Sequence, residues 1–232
     1  MNISDNNITE LYKFTREHFV VHYDVQTELV DHLANDIEQI WETEPSLSFT
    51  DARGRSFKKF GVFGFMTVVE QKQKAMSKRY WKILWRFVKG WFSLPKIIIT
   101  SLVFMLFFSV FQIPFAEEVI LTILVSLLLT DFYFLFKNRH IRKRKKQQKK
   151  KIYLLESMIG ETRNGLSAMM ILNFLNLINL SDINFVELAL VWQLAIAFTG
   201  TLICIIFYIT AFIMPSKAEE LLAETYPEYK ML

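Results

Sequence analysis

The sequence predicts an all-α chain in two parts, a small cytosolic helical domain followed by a four-helix transmembrane bundle. Three observations predict it. Residues 97–116 and 188–214 contain no charged side chain. Residues 137–151 carry ten Lys or Arg and no acid. In the first 70 residues, apolar side chains recur every three or four positions, among twelve acids and six bases. The chain is 52% hydrophobic and 22% charged, against about 25% charged in a usual soluble domain. This excludes a disordered polymer, and the single Cys204 excludes an intramolecular disulfide scaffold. The amino terminus lacks a basic n-region and apolar h-region, so an internal segment is expected to direct insertion.

Within 1–70, Asn7 followed by Glu10 reads as a helix cap ahead of Leu11, Phe14 and His18 with Phe19. Asp24 reads as the cap of a second helix, in which Val25, Leu29, Leu33, Ile37 and Ile40 line one face until Pro45 closes it. Ser48 with Asp51 marks a third start, and Gly61 a carboxyl cap. A fourth helix is expected from near Val62. From Lys72 to Lys96 its bases, among them Lys78, Arg79, Lys82 and Arg86, alternate with Tyr80, Trp81, Trp85 and Trp91. Bases and aromatics at helical spacing suit a juxtamembrane helix (71–96) lying on an anionic leaflet. There each Lys or Arg contributes about 1 kcal/mol and Trp sits at headgroup depth. The alternative is a stop at the membrane edge with snorkelling lysines.

A spanning helix needs roughly 20 apolar residues. Four segments qualify or nearly do: 97–116, 119–136, 165–180 and 188–214, the last closed by Pro215. The basic residues lie before the first, between the second and third (137–151), and after the fourth. The intervening loops carry only Glu117, Glu118, Asp182 and Glu187. Because Lys and Arg stay on the cytoplasmic side, this places both termini, the 137–151 loop and the 215–232 tail in the cytosol, with the bundle in the cell inner membrane.

Glu28-Leu29-Val30-Asp31-His32-Leu33, continuing to Ile37-Glu38, then Ser48-Phe49-Thr50-Asp51-Ala52 and Phe57-Lys58-Lys59-Phe60-Gly61, resembles the small helical HAAS-type signalling domain. The resemblance covers about residues 1–75. It implies a cytosolic domain ahead of transmembrane helices, of the kind found in bacterial membrane proteins encoded beside PadR-type repressors or fused to permease subunits. It also implies a cytosolic protein partner, for which Glu28, Asp31, His32, Asp36, Phe60 and Gly61 are the candidate contacts. Where that family carries Gly-Asp-Pro or similar, this chain has Gly61-Val62-Phe63-Gly64.

Other polar residues invite chemistry. His18 and His22, four apart, would share a helix face and, with His32, Glu28 and Asp31, could hold a metal. No Glu-x-x-His or His-Glu-x-x-His occurs, so a role at helix interfaces is favoured and neither metal nor cofactor is expected. Asp131 lies roughly 18 Å into the second span at the standard rise, where it is either functional or paired with Lys137 or Arg139. Asn173, Asn176 and Asn179 form a stripe suited to hydrogen bonding between helices, within the bundle or in a homo-oligomer, or to lining a pore. Gly200 with Ala197 and Thr201 offers close packing. Arg142, Lys143, Arg144 and Lys145 suit anionic lipid headgroups; the run has no internal aromatic residue, so nucleic acid is not expected.

The leading expectation is a non-enzymatic signalling or scaffold protein of the inner membrane. The alternatives are a small transporter or channel subunit using Asp131 and the Asn stripe, and a membrane enzyme with a His and carboxylate metal site.

Overall fold

The computed structural model describes residues 3–147, 151–160, 169, 171–173, 176 and 187–231. Among these residues there are helices and no strand. The elements are α1 (Asp5–Glu17), α2 (Tyr23–Thr43), α3 (Phe49–Lys58), α4 (Met66–Trp91), α5 (Lys96–Val110), α6 (Ala116–Gln147), α7 (described over 154–160), α8 (Leu190–Tyr208), α9 (Met214–Ser216) and α10 (Ala218–Thr225). A π-helical turn, Ile209–Ile213, joins α8 to α9, and a 3₁₀ turn, Pro227–Met231, follows α10.

The chain forms two compact units, the first being residues 1–79 with 145–155. Its core is the apolar stripe of α2, Val25, Leu29, Val30, Leu33, Ile37 and Trp41, packed against Leu11 of α1 and Ala52 of α3. At α1 the cap is Ser4, whose Oγ accepts from the Asn7 N–H, so Asn7 is inside the helix and not its cap. Ser48 caps α3 as expected and accepts from Asp51 N–H. α1 ends in two reverse hydrogen bonds, Phe19 N–H to Arg16 O and Val20 N–H to Thr15 O, with Phe19 left-handed at φ +64°. His18 and His22 therefore share no helix face, contrary to the spacing argument.

Asp24 likewise caps something other than its own helix. α2 starts at Tyr23 without a side-chain cap, and Asp24 Oδ1 accepts instead from the Leu154 N–H at 3.0 Å, at the start of α7. Tyr23 N–H donates to Ile152 O at 2.8 Å, Lys151 Nζ lies 4.2 Å from the Tyr23 ring centroid, and the Tyr23 and Tyr153 rings meet edge to face at 5.7 Å. Tyr153, Leu154 and Leu155 are fully buried. Three such side chains contribute about 1.5–3 kcal/mol each, against about 1 kcal/mol for a neutral hydrogen bond, so apolar burial dominates this clasp and the polar pair sets its register.

α4 begins at Met66, not near Val62, because Gly61 (φ +76°) and Gly64 (φ +53°) fold the intervening residues into a knuckle. A Cβ on Gly64 would stand 3.0 Å from Phe57 Cζ; at Gly61 it would meet nothing.

In the second unit, residues 80–144 and 156–232, α6 and α8 supply the helices long and apolar enough to cross a membrane, Ala116–Ile141 and Leu190–Ser216. α4 and α5, bent by 86° between 91 and 96, would be a third if counted together. The expected first span, 97–116, is α5 alone: it stops at Val110, and 3₁₀-type bonds close the chain ahead of Pro114. The expected loop 137–151 is helical to Gln147, because its Lys, Arg and Gln favour helix and no Gly or Pro interrupts them. Pro215 does not end the last span. The wide π turn before it absorbs the bond it cannot make, and the helix continues to Ser216. The expected tail 215–232 holds α10, with Leu221, Leu222 and Tyr226 buried. Phe111, Ile120, Leu124, Ile171, Ala197 and Ile203 form this unit's core, and the Phe107 ring lies where a Cβ of Gly200 would come within 3.0 Å. Most of 165–180 is outside the described residues.

Leu155→Ala should cost about 2–5 kcal/mol in thermal or denaturant unfolding, and Asp24→Asn about 1 kcal/mol. Gly64→Ala should cost at least the 1–2 kcal/mol or so of a left-handed alanine and exceed Gly61→Ala, which adds no steric contact.

Candidate functional site

Glu28, His32 and Asp36 repeat every fourth residue along α2 and so share one stripe, on which His32 is exposed and Glu28 and Asp36 are half-buried. The end of α3 brings Ser56, Lys59 and Phe60 to it, and the first turns of α4 bring Val68, Gln71 and Lys72. Together they line an open cleft of about 510 Å³. This size is within the range of ligand pockets.

Two ion pairs cross its rim. Lys72 Nζ is 2.6 Å from Glu28 Oε2, and Lys59 Nζ is 2.5 Å from Asp36 Oδ1. Both pairs are partly exposed, so each contributes no more than about 1 kcal/mol and can be exchanged for an incoming charge at little cost. His32 is exposed and lies one helical turn from each carboxylate. Burial pushes the Asp36 carboxyl up, but the hydrogen bond from Lys59, a polar interaction with Ser56 and the Lys59 charge outweigh it, so Asp36 sits below its ordinary range. Ser56 is buried at the wall of the cleft beside Asp36.

Four of the six candidate partner contacts, Glu28, His32, Asp36 and Phe60, thus converge. Asp31 is exposed beside the cleft without lining it, and Gly61 lies in the knuckle beyond. Lys59, Lys72, Ser56, Val68 and Gln71 were not singled out from sequence; their convergence depends on the α3 and α4 packing, which no local pattern encodes. His18 sits elsewhere. Its Nδ1 is 2.8 Å from Phe14 O and its ring packs on Phe14, Phe57 and Phe65. His22 precedes α2 as its cap residue. Among the described residues no group of three His, Cys, Asp or Glu side chains is gathered for a metal.

Asp131 is 2% exposed within α6. Lys137 and Arg139 are exposed, with Lys137 lying over the Tyr133 ring. Gln193, Thr201 and Thr210 are further buried polar residues of the apolar helices. Asn173 and Asn176 are exposed, Asn173 Nδ2 donating to Met169 O of its own helix; Asn179 lies outside the described residues. Of the candidate lipid contacts, Lys78, Arg79, Lys82, Lys143 and Arg144 are exposed. Arg142 and Lys145 lie in α6, their side chains outside the described set. Arg86 is otherwise engaged, since its guanidinium makes a two-point pair with Glu224 of α10 at 3.1 and 3.0 Å. Compared with protein families, with curated proteins and with solved structures, the chain matches none.

Because the folded-state Asp36 carboxyl lies below its unfolded value, ionised Asp36 stabilises the fold above about pH 4, and this contribution is lost as pH falls through the lowered value. Lys59→Met should flatten the acid arm of a thermal-midpoint curve while costing under about 1 kcal/mol at pH 7. An unchanged acid arm would show that Lys59 is not the cause.

Proposed function

We propose that the chain is a non-enzymatic signalling or scaffold protein of a bacterial inner membrane, whose amino-terminal helical domain binds a cytosolic protein partner in the cleft between α2, α3 and α4. The observation that carries this reading is the cleft itself. Exchangeable ion pairs on its rim, a half-buried Phe60 and the buried Ser56 hydroxyl suit a partner surface that offers one apolar side chain flanked by charge. The resemblance of 1–75 to HAAS-type signalling domains points the same way.

The two spans and the clasp support a membrane arrangement for this reading. Residues 23 and 152 hydrogen-bond to each other, which favours the amino-terminal domain and the end of α6 on one side of the bilayer, with α5 and α6 together entering and returning. Lys and Arg at both ends of that excursion favour the cytoplasmic side. The exposed Lys78, Lys82, Lys143 and Arg144 then face anionic headgroups. A cluster of Trp91, Lys96, Thr100 and Tyr208 suits headgroup depth, with Trp91 Nε1 donating to Thr100 Oγ1 at 3.0 Å and its ring tilted by 60° against Tyr208. A fourth span near 165–180, both termini in the cytosol and association of copies through the spans complete the proposal.

A second reading is favoured by one observation: Asp131, buried in an apolar helix, suits a transporter or channel subunit. Cation flux through proteoliposomes that falls in Asp131→Asn would support it over the first.

The partner reading is tested by photocrosslinking in intact cells. A benzophenone amino acid at Gln71 or His32 should capture one discrete protein that a probe at exposed Asn35 does not. Phe60→Asp should abolish the capture. Repeated recovery of the chain alone from both cleft positions would contradict the reading.

A further inference from the structure

Two tight turns of the amino-terminal domain present large apolar side chains to solvent. Phe19 is 84% exposed and Val21 58% in the turn after α1, while Val62 is 99% exposed and Phe63 78% in the Gly61–Gly64 knuckle. The turns are neighbours. The Phe57 ring lies 4.6 Å from the His18 ring, next to Phe19, and it is also the ring that a Cβ on Gly64, next to Phe63, would strike. Phe19 holds a left-handed backbone that a bulky residue adopts only at a cost, and it places its ring in water without burying it.

Neither turn is explained by the core, which closes beneath them with Phe14, Phe57, Phe60 and Phe65 in mutual ring contact. Charge narrows the choice of occupant. The domain carries twelve acids, yet the exposed residues beside these turns include Arg16 and Lys58, which make no ion pair among the described residues. The nearby acid Glu17 is 3.8 Å from Lys13, and Lys59 is held by Asp36. Exposed aromatic and aliphatic side chains flanked by the two bases Arg16 and Lys58 match an anionic bilayer interface, where the apolar groups enter the headgroup–acyl boundary and the bases meet phosphate.

We propose that the turns 18–21 and 61–64 form a membrane-docking edge, Phe19, Val21, Val62 and Phe63 inserting into the surface of an anionic bilayer with Arg16 and Lys58 on its phosphates. The proposal rests on the chain being held in that bilayer by its apolar helices, and it adds a lipid contact that belongs to the acidic domain itself. Docking of this edge would leave the α2–α3–α4 cleft to the protein partner.

The test uses the full chain in nanodiscs, with Cys204→Ser as background and single cysteines carrying an environment-sensitive dye. Labels at Val62 and Phe63 report the edge, Lys82 reports α4, Leu194 reports a span, and Asn35 is the exposed control. Nanodiscs of phosphatidylcholine with and without phosphatidylglycerol carry lipids spin-labelled at a shallow acyl position. Blue-shifted emission and quenching at 62 and 63 but not 35, stronger with phosphatidylglycerol, are expected. Water-like, unquenched emission at 62 and 63 with quenching at 82 and 194 would overturn the docking edge and leave the reading of α4 intact. A blue shift without quenching would mean that protein covers the turns, and equal quenching in both lipids that anionic headgroups are not recognised; either overturns the proposal. Loss of quenching at 194 as well would overturn the membrane reading on which it rests.

Discussion

The clasp between the start of α2 and residues 151–155 is the interaction on which the rest of the architecture depends. It joins positions 130 apart in sequence, and everything between Asp24 and Leu154, α3 through α6, has to leave and return within that constraint. Closing so long a loop costs chain entropy that grows only slowly with length, so a few buried side chains suffice to hold it. Tyr153, Leu154 and Leu155 supply that burial, and the two hydrogen bonds fix the register in which they dock.

The clasp also gives the charge pattern a mechanical meaning. Bases retained on one face of a membrane bias the orientation of short loops, but they do not by themselves determine which segments meet. Here the basic end of α6 leads directly into a segment packed on the acidic domain, with Lys151 over the Tyr23 ring. At the far end of the basic stretch, the described contact is an aromatic one, Lys151 over the Tyr23 ring, next to the apolar burial of Tyr153, Leu154 and Leu155.

The helical repeat of α2, the Ser48 cap and the long apolar runs are local patterns, and the sequence displays them openly. What it hid was where local signals are spent on distant partners. Asp24 has the chemistry and position of an α2 cap, yet it caps α7, because a carboxylate accepts from whichever amide the tertiary fold presents. Arg86 carries the same charge as the exposed Lys82, and only the placement of Glu224 on α10 separates a paired base from a free one. Helix ends depend on the fold for a related reason. Pro114 and Pro215 are the same residue type, but the first follows a closed helix and the second follows a π turn that accommodates it. In the cleft, the α2 stripe was legible because it repeats every four residues, whereas Lys59 and Lys72 join it only through packing.

The proposed arrangement, with the amino-terminal domain and the end of α6 on one side of the membrane and the α5–α6 turn on the other, is tested most directly by cysteine accessibility in intact cells. In a Cys204→Ser background, single cysteines at Lys59, Lys143 and Glu117 are exposed to a membrane-impermeant maleimide before and after permeabilisation. The account predicts labelling at 117 from outside, and at 59 and 143 only after permeabilisation. Labelling of 59 and 143 from opposite sides would contradict it.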